Sequence, residues 1–159
     1  MLHPRALNDL RIAGIHEAGH CAVARHFGIE ARWKVRPSGT DSPETERLFV
    51  GDCWAWPPGG RWQNADVERA FYLAGLIAEV VLENNGPVPA DQLYGRIETG
   101  VLELSGPDAA GARGFTVSDI ESCQLLVLDL WEKIIKDADG MVLTVIDAAE
   151  REATERKAQ

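Results

Sequence analysis

A chain of 159 residues with 45% hydrophobic side chains is long enough for one domain around one sizeable core, and too apolar for global disorder. Its net charge of -9 argues against a nucleic-acid binder, which needs a basic face to neutralise phosphates, and disfavours anionic membrane surfaces. The three cysteines, Cys21, Cys53 and Cys123, form no CxxC pair, so neither a disulfide framework nor a structural zinc knot is expected.

The opening "MLHPRALNDLRIAG" lacks the charged-then-apolar order of a signal peptide, and no apolar run of about eighteen residues occurs. A cytoplasmic location is expected. "NDLRIAGIHEAGHCAVARHFG" predicts a first helix, capped by Asn8 or Asp9 and closed at Gly28. Ile12, His16, His20, Val23 and Phe27 share one face at spacings of three and four. "ARWKVRPSG" predicts a short strand broken by Pro37 and Gly39, "TDSPETE" a polar loop, and "RLFVGDCWAW" a second strand closed by "PPGG". The two strands are expected to form a small antiparallel sheet.

"NADVERAFYLAGLIAEVVLENNG" predicts a second helix ending at Asn84, Asn85 and Gly86. The next segment, residues 87–114, reads as a loop, a short helix near 90–104 and a Gly-rich loop. "SDIESCQLLVLDLWEKIIKDADG" predicts a strong helix, with Ser118 and Glu121 in a capping-box pattern. A final, highly charged helix covers roughly 140–157. No internal repeat and no second domain is visible, so residues 1–159 read as one mostly helical α+β domain with a small antiparallel sheet.

The chemistry lies in "HEAGH", residues 16–20. Helical positions i and i+4 stack on one face, so His16 and His20 can present two imidazoles to one zinc ion. Glu17 lies about 100° round the helix from His16. It is poorly placed as a ligand, but well placed as a base for a water that zinc has made acidic; this is the logic of HExxH metalloproteases.

Three residues compete for the third ligand. "HEAGHCAVARH" approaches HExxHxxGxxH, but Val23 stands where the turning glycine belongs, so the helix continues and carries His26 ~9 Å along and ~120° round from His20. Glu79, set among Leu76, Ile77, Val80 and Val81, reads as a direct ligand or as a partner to a ligating histidine. Asp119 opens a helix and reads either as a ligand or as a first-turn acid serving the helix dipole.

"HEAGH", "KVRPSG", "LAGLIAEVV" and "VSDIESC", in that order, resemble the peptidase domain of FtsH-type zinc proteases over roughly residues 8–136. The resemblance implies an HExxH zincin-like helical domain, zinc bound by His16, His20 and Asp119, Glu17 as catalytic base and Glu79 as a supporting residue. Leu76 and Val80 depart from the family's arginine and second glutamate. No membrane anchor or ATPase module like that family's is expected in these residues, since no GxxxxGK[ST] occurs and "GPDAAGARG" reads as a flexible loop.

The expected function is therefore a zinc-dependent metallopeptidase acting on flexible or unfolded polypeptides, ATP-independent as an isolated chain. The alternative is a non-catalytic metal-binding interaction protein on the same fold. Expected partners are a polypeptide substrate, and a second copy of the chain or a separate ATPase. "DCWAWPPGGRW" gathers three of the five tryptophans, either as a substrate-holding edge strand or as aromatic packing.

Overall fold

The computed structural model describes residues 2–40 and 46–158, with side chains described to residue 156, so most of the "TDSPETE" loop lies outside the described residues. The fold is mostly helical with one two-stranded antiparallel sheet. In chain order it comprises α1 (Pro4–His26), β1 (Glu30–Pro37), β2 (Phe49–Trp56), α2 (Ala65–Asn84), α3 (Ala90–Glu98), α4 (Gly106–Gly111), α5 (Val117–Asp129) and α6 (Trp131–Ala158).

The first helix begins earlier than Asn8. Pro4 has φ already set for the first helical turn, and the ring Nδ1 of His3 accepts the Arg5 N–H at 3.3 Å. Asp9, free of capping duty, accepts the Leu48 N–H at 3.0 Å and ties α1 to the chain entering β2. Past the helix end, Gly28 takes φ 74, as a C-terminal glycine should.

Periodicity marks one apolar face on α1, but the structure buries it nearly all round from Ala13 to Ala24. Such a helix is a central element rather than a surface one. Small residues let its neighbours close in. A Cβ at Gly14 would meet Ala138 of α6 at 3.7 Å, and one at Gly19 would meet the Ala74 oxygen of α2 at 2.9 Å.

The sheet pairs Trp33 with Cys53 and Val35 with Gly51. Alternation sends Ala31, Val35, Phe49 and Gly51 towards α1, and Arg32, Lys34, Trp54 and Trp56 outwards. Lys34 lies over the Trp54 ring and Arg32 over Trp56. Trp62 instead packs on Phe71 of α2. Among the described residues β2 pairs only with β1, which leaves its other edge free.

The C-terminal half divides differently from the expected pattern. The predicted helix over 118–140 breaks at Leu130, whose N–H bonds back to Leu126 and Leu128, and α6 then runs straight through Gly140. A glycine costs an exposed helix only about 1 kcal/mol, which the packing of Ile134 and Ala138 in the core outweighs. The capping box also sits elsewhere than Ser118 and Glu121: Thr116 caps α5 and Asp119 completes the pair. Leu73, Ile77, Ile120, Val127 and Ile134, all fully buried, form the main core with Ile15 and Val23 of α1. No helix among the described residues is long and apolar enough to cross a membrane.

Candidate metal centre

His16 and His20 leave α1 on the side facing α2 and α4. Their Nε2 atoms stand 3.0 Å apart. Asp108 of α4 faces both, with Oδ2 3.3 Å from His16 Nε2 and Oδ1 3.5 Å from His20 Nε2. One ligand atom from each of the three lies within 4.8 Å of the others.

The opposite ring nitrogens are fixed. His20 Nδ1 is 2.6 Å from the Phe71 carbonyl oxygen, which can only accept, so this nitrogen carries the proton. His16 Nδ1 donates to Glu79 Oε1 at 2.7 Å. With both imidazoles neutral, as metal binding requires, the two Nε2 atoms direct lone pairs at one another and at a carboxylate. Such a convergence repels itself unless a positive charge lies within it, and an N, N, O donor set with buried partners behind it suits zinc. A proton on His16 supplies the same positive charge, and a metal ion would displace it. Burial pushes the His16 pKa down, yet Asp108 and Glu79 outweigh it and raise the value to about 10. Burial pushes Asp108 up, but the two imidazoles hold it far below the usual carboxylate range.

Two glycines make the space. A Cβ at Gly75 of α2 would stand 2.4 Å from His20 Nε2 and 2.5 Å from His16 Nε2. A Cβ at Gly51 of β2 would stand 2.1 Å from Glu17 Cγ. Glu17, 7% exposed, is thus pressed between α1 and β2. Burial raises its pKa, and the neighbouring imidazoles only partly oppose this.

A cavity of about 630 Å³ opens on His16 and Glu17, bounded by the start of β2, by Leu76 and Glu79 of α2, and by the segment 100–105. A smaller one, about 220 Å³, reaches Glu17, His20, Asp108 and Cys53. Glu79, 8% exposed, is held ionised: burial pushes its pKa up, but bonds from His16 and Arg47 bring it below the ordinary value.

The structure thus gathers His16, Glu17, His20 and Glu79 around one point, and sets Asp108 beside the two histidines where Asp119 was expected. Asp119 lies outside the group. Its Oδ2 accepts from the Thr116 N–H and hydroxyl, both at 2.8 Å, and lies 3.3 Å from Arg69 Nε. A carboxylate engaged in closing a helix end has little left for a metal. His26 also lies outside, exposed and edge-on to Phe27 at the end of α1, because α1 continues through Val23 without turning. Asp108 instead faces the two histidines, from within the segment that reads as a flexible loop. Ser105 caps α4, accepting the Asp108 N–H at 3.3 Å and donating to Asp108 Oδ2 at 2.8 Å. The signal was present in "SGPD": a capping serine, a first-turn proline and an acid three residues on.

The cysteines are free, with Cys21 and Cys123 buried and Cys53 partly exposed towards the smaller cavity. Compared with known proteins, the chain matches no family model and no curated protein.

Proposed function

We propose that the chain is a zinc metallopeptidase that cuts flexible or unfolded polypeptides, of the FtsH-like type that its motifs resemble. His16, His20 and Asp108 would hold the ion, with Glu79 and the Phe71 carbonyl orienting the two imidazoles. Bound there, zinc supplies a Lewis acid that polarises the scissile carbonyl and acidifies water.

Glu17 is the base. Its buried carboxylate accepts a proton from the attacking water and returns it to the leaving nitrogen. Burial raises its pKa, which brings it closer to the working pH and makes it a stronger base. The free edge of β2 borders the same cleft and offers main-chain partners to an extended substrate. Folded proteins keep such segments paired internally, so the isolated chain acts on flexible substrates and needs no ATP. A separate ATPase, or assembly with further copies of the chain, would extend its reach to folded ones. Free thiols fit a reducing compartment such as the cytoplasm.

The observation that carries this reading is the convergence of two histidine Nε2 atoms and one carboxylate, with Glu17 on the same smaller cavity. The test is digestion of casein or a fluorogenic peptide by the zinc-loaded chain. Cleavage is expected, abolished by a chelator and indifferent to ATP. Stable zinc binding with no cleavage of any flexible substrate would favour a non-catalytic metal-binding interaction protein instead.

A further inference from the structure

We propose that Arg47 is a positioning residue for the metal site, acting through Glu79 on the imidazole of His16. The inference rests on the reading of His16 as a metal ligand. Glu79 meets His16 Nδ1 with one oxygen, Oε1, at 2.7 Å. A carboxylate held at one point rotates freely, because its terminal torsion is broad. Arg47 removes that freedom. Its Nη2 donates to Oε2 at 2.7 Å and its Nη1 to Oε1 at 3.2 Å, a two-pronged bond that fixes the carboxylate plane. The plane sets the direction of the lone pair offered to Nδ1, and this sets the angle at which Nε2 leaves the far side of the ring.

Arg47 is not a loose surface arginine, although its side chain is 49% exposed. The next residue is tied on both sides: the Leu48 N–H bonds to Asp9 of α1 at 3.0 Å, and the Leu48 carbonyl accepts the Ser38 N–H at 2.9 Å. The guanidinium therefore springs from an anchored stretch of backbone. The bond to Glu79 also raises the Arg47 pKa above its usual value, so the charge is permanent. Exposed ion pairs generally contribute little, but a bidentate pair rooted at both ends is the exception. Lysine has the charge without the fork, so the two residues are not equivalent here.

The test uses the purified full chain with Co²⁺ as probe, read by chelator competition and by its visible absorption band. R47M is expected to weaken Co²⁺ binding about tenfold, as loss of an outer-shell partner does, and to alter the band. R47K is expected to recover only part of the affinity, and it decides the matter if R47M fails to fold. Because Arg47 acts through Glu79, R47M should add no further loss in an E79Q background. Binding by R47M or R47K within about twofold of wild type, with an unchanged band, would overturn the proposal. So would equal losses in the Glu79 and E79Q backgrounds, which would make Arg47 a source of net charge only. A wild-type chain that takes up no Co²⁺ at all would remove the metal reading itself, and this inference with it.

Discussion

Gly75 makes room for His20: a Cβ at that position would stand 2.4 Å from the ring's Nε2. The contact is with the nitrogen that would face the ion, so substitution acts on the site before it acts on the fold. G75A is expected to displace both imidazoles and weaken zinc binding by about 100-fold or more, beyond the usual cost of an outer-shell change. It should destabilise the metal-free protein by about 1–3 kcal/mol, as overpacking does. Chelator competition and denaturant titration measure the two effects separately. Wild-type zinc affinity in G75A would mean that the imidazoles do not occupy the space described.

Gly51 makes the matching prediction for the base. Its Cβ would lie 2.1 Å from Glu17 Cγ, and the three atoms nearest to it all belong to Glu17. G51A should therefore retain zinc but lose peptidase activity by about 100-fold, the scale of general-base catalysis. E17Q should do the same without steric disturbance, because the amide cannot take the proton. Measurement of kcat with zinc content on the same samples decides it. Full activity in E17Q would remove Glu17 from the mechanism.

The histidine pair was legible because it is local: four residues along one helix fix the spacing of His16 and His20 whatever the rest of the chain does. Glu79 was legible as a carboxylate among aliphatic neighbours that needed a partner. The cap that holds Asp108 was legible in "SGPD", but its place beside the histidines was not, because that depends on packing between α4 and α2. Asp119 attracted the assignment by standing in a recognisable segment, yet the pairing that occupies it, Thr116 with Asp119, is also local. Ser118 with Glu121 shows the same capping-box spacing two residues later, so the pattern alone does not single out Asp119 as the capping acid. Gly51 and Gly75 carry no local signal at all, since what they accommodate comes from another element.

Asp108 and Asp119 should respond oppositely to removal. D108A is expected to abolish stoichiometric zinc binding. D119A should keep zinc and lose about 1 kcal/mol of stability, the typical value of a helix-capping interaction. Elemental analysis together with urea unfolding distinguishes them. Zinc lost from D119A but kept in D108A would reverse the assignment.

Asp119 also gives stability a pH dependence of definite sign. Burial pushes its pKa up, but bonds from Thr116 and Arg69 outweigh this and hold it below the ordinary value. A depressed carboxylate contributes stability above the unfolded pKa of about 3.9 and loses it as pH falls through the folded value. The stability gap between wild type and D119N should thus be steady near neutrality and close as pH drops below about 4. Urea midpoints of both proteins across that range provide the check. A gap that stays constant to pH values below the folded pKa would contradict the ionised capping box.

The position of the ion itself is the most direct measurement, made by anomalous diffraction at the zinc edge on crystals of the zinc-loaded chain. A single strong peak is expected between His16 Nε2, His20 Nε2 and the Asp108 carboxylate, with Glu17 beside it but not bound. A peak at Asp119, or none near the two histidines, would contradict the metal centre and the peptidase reading built on it.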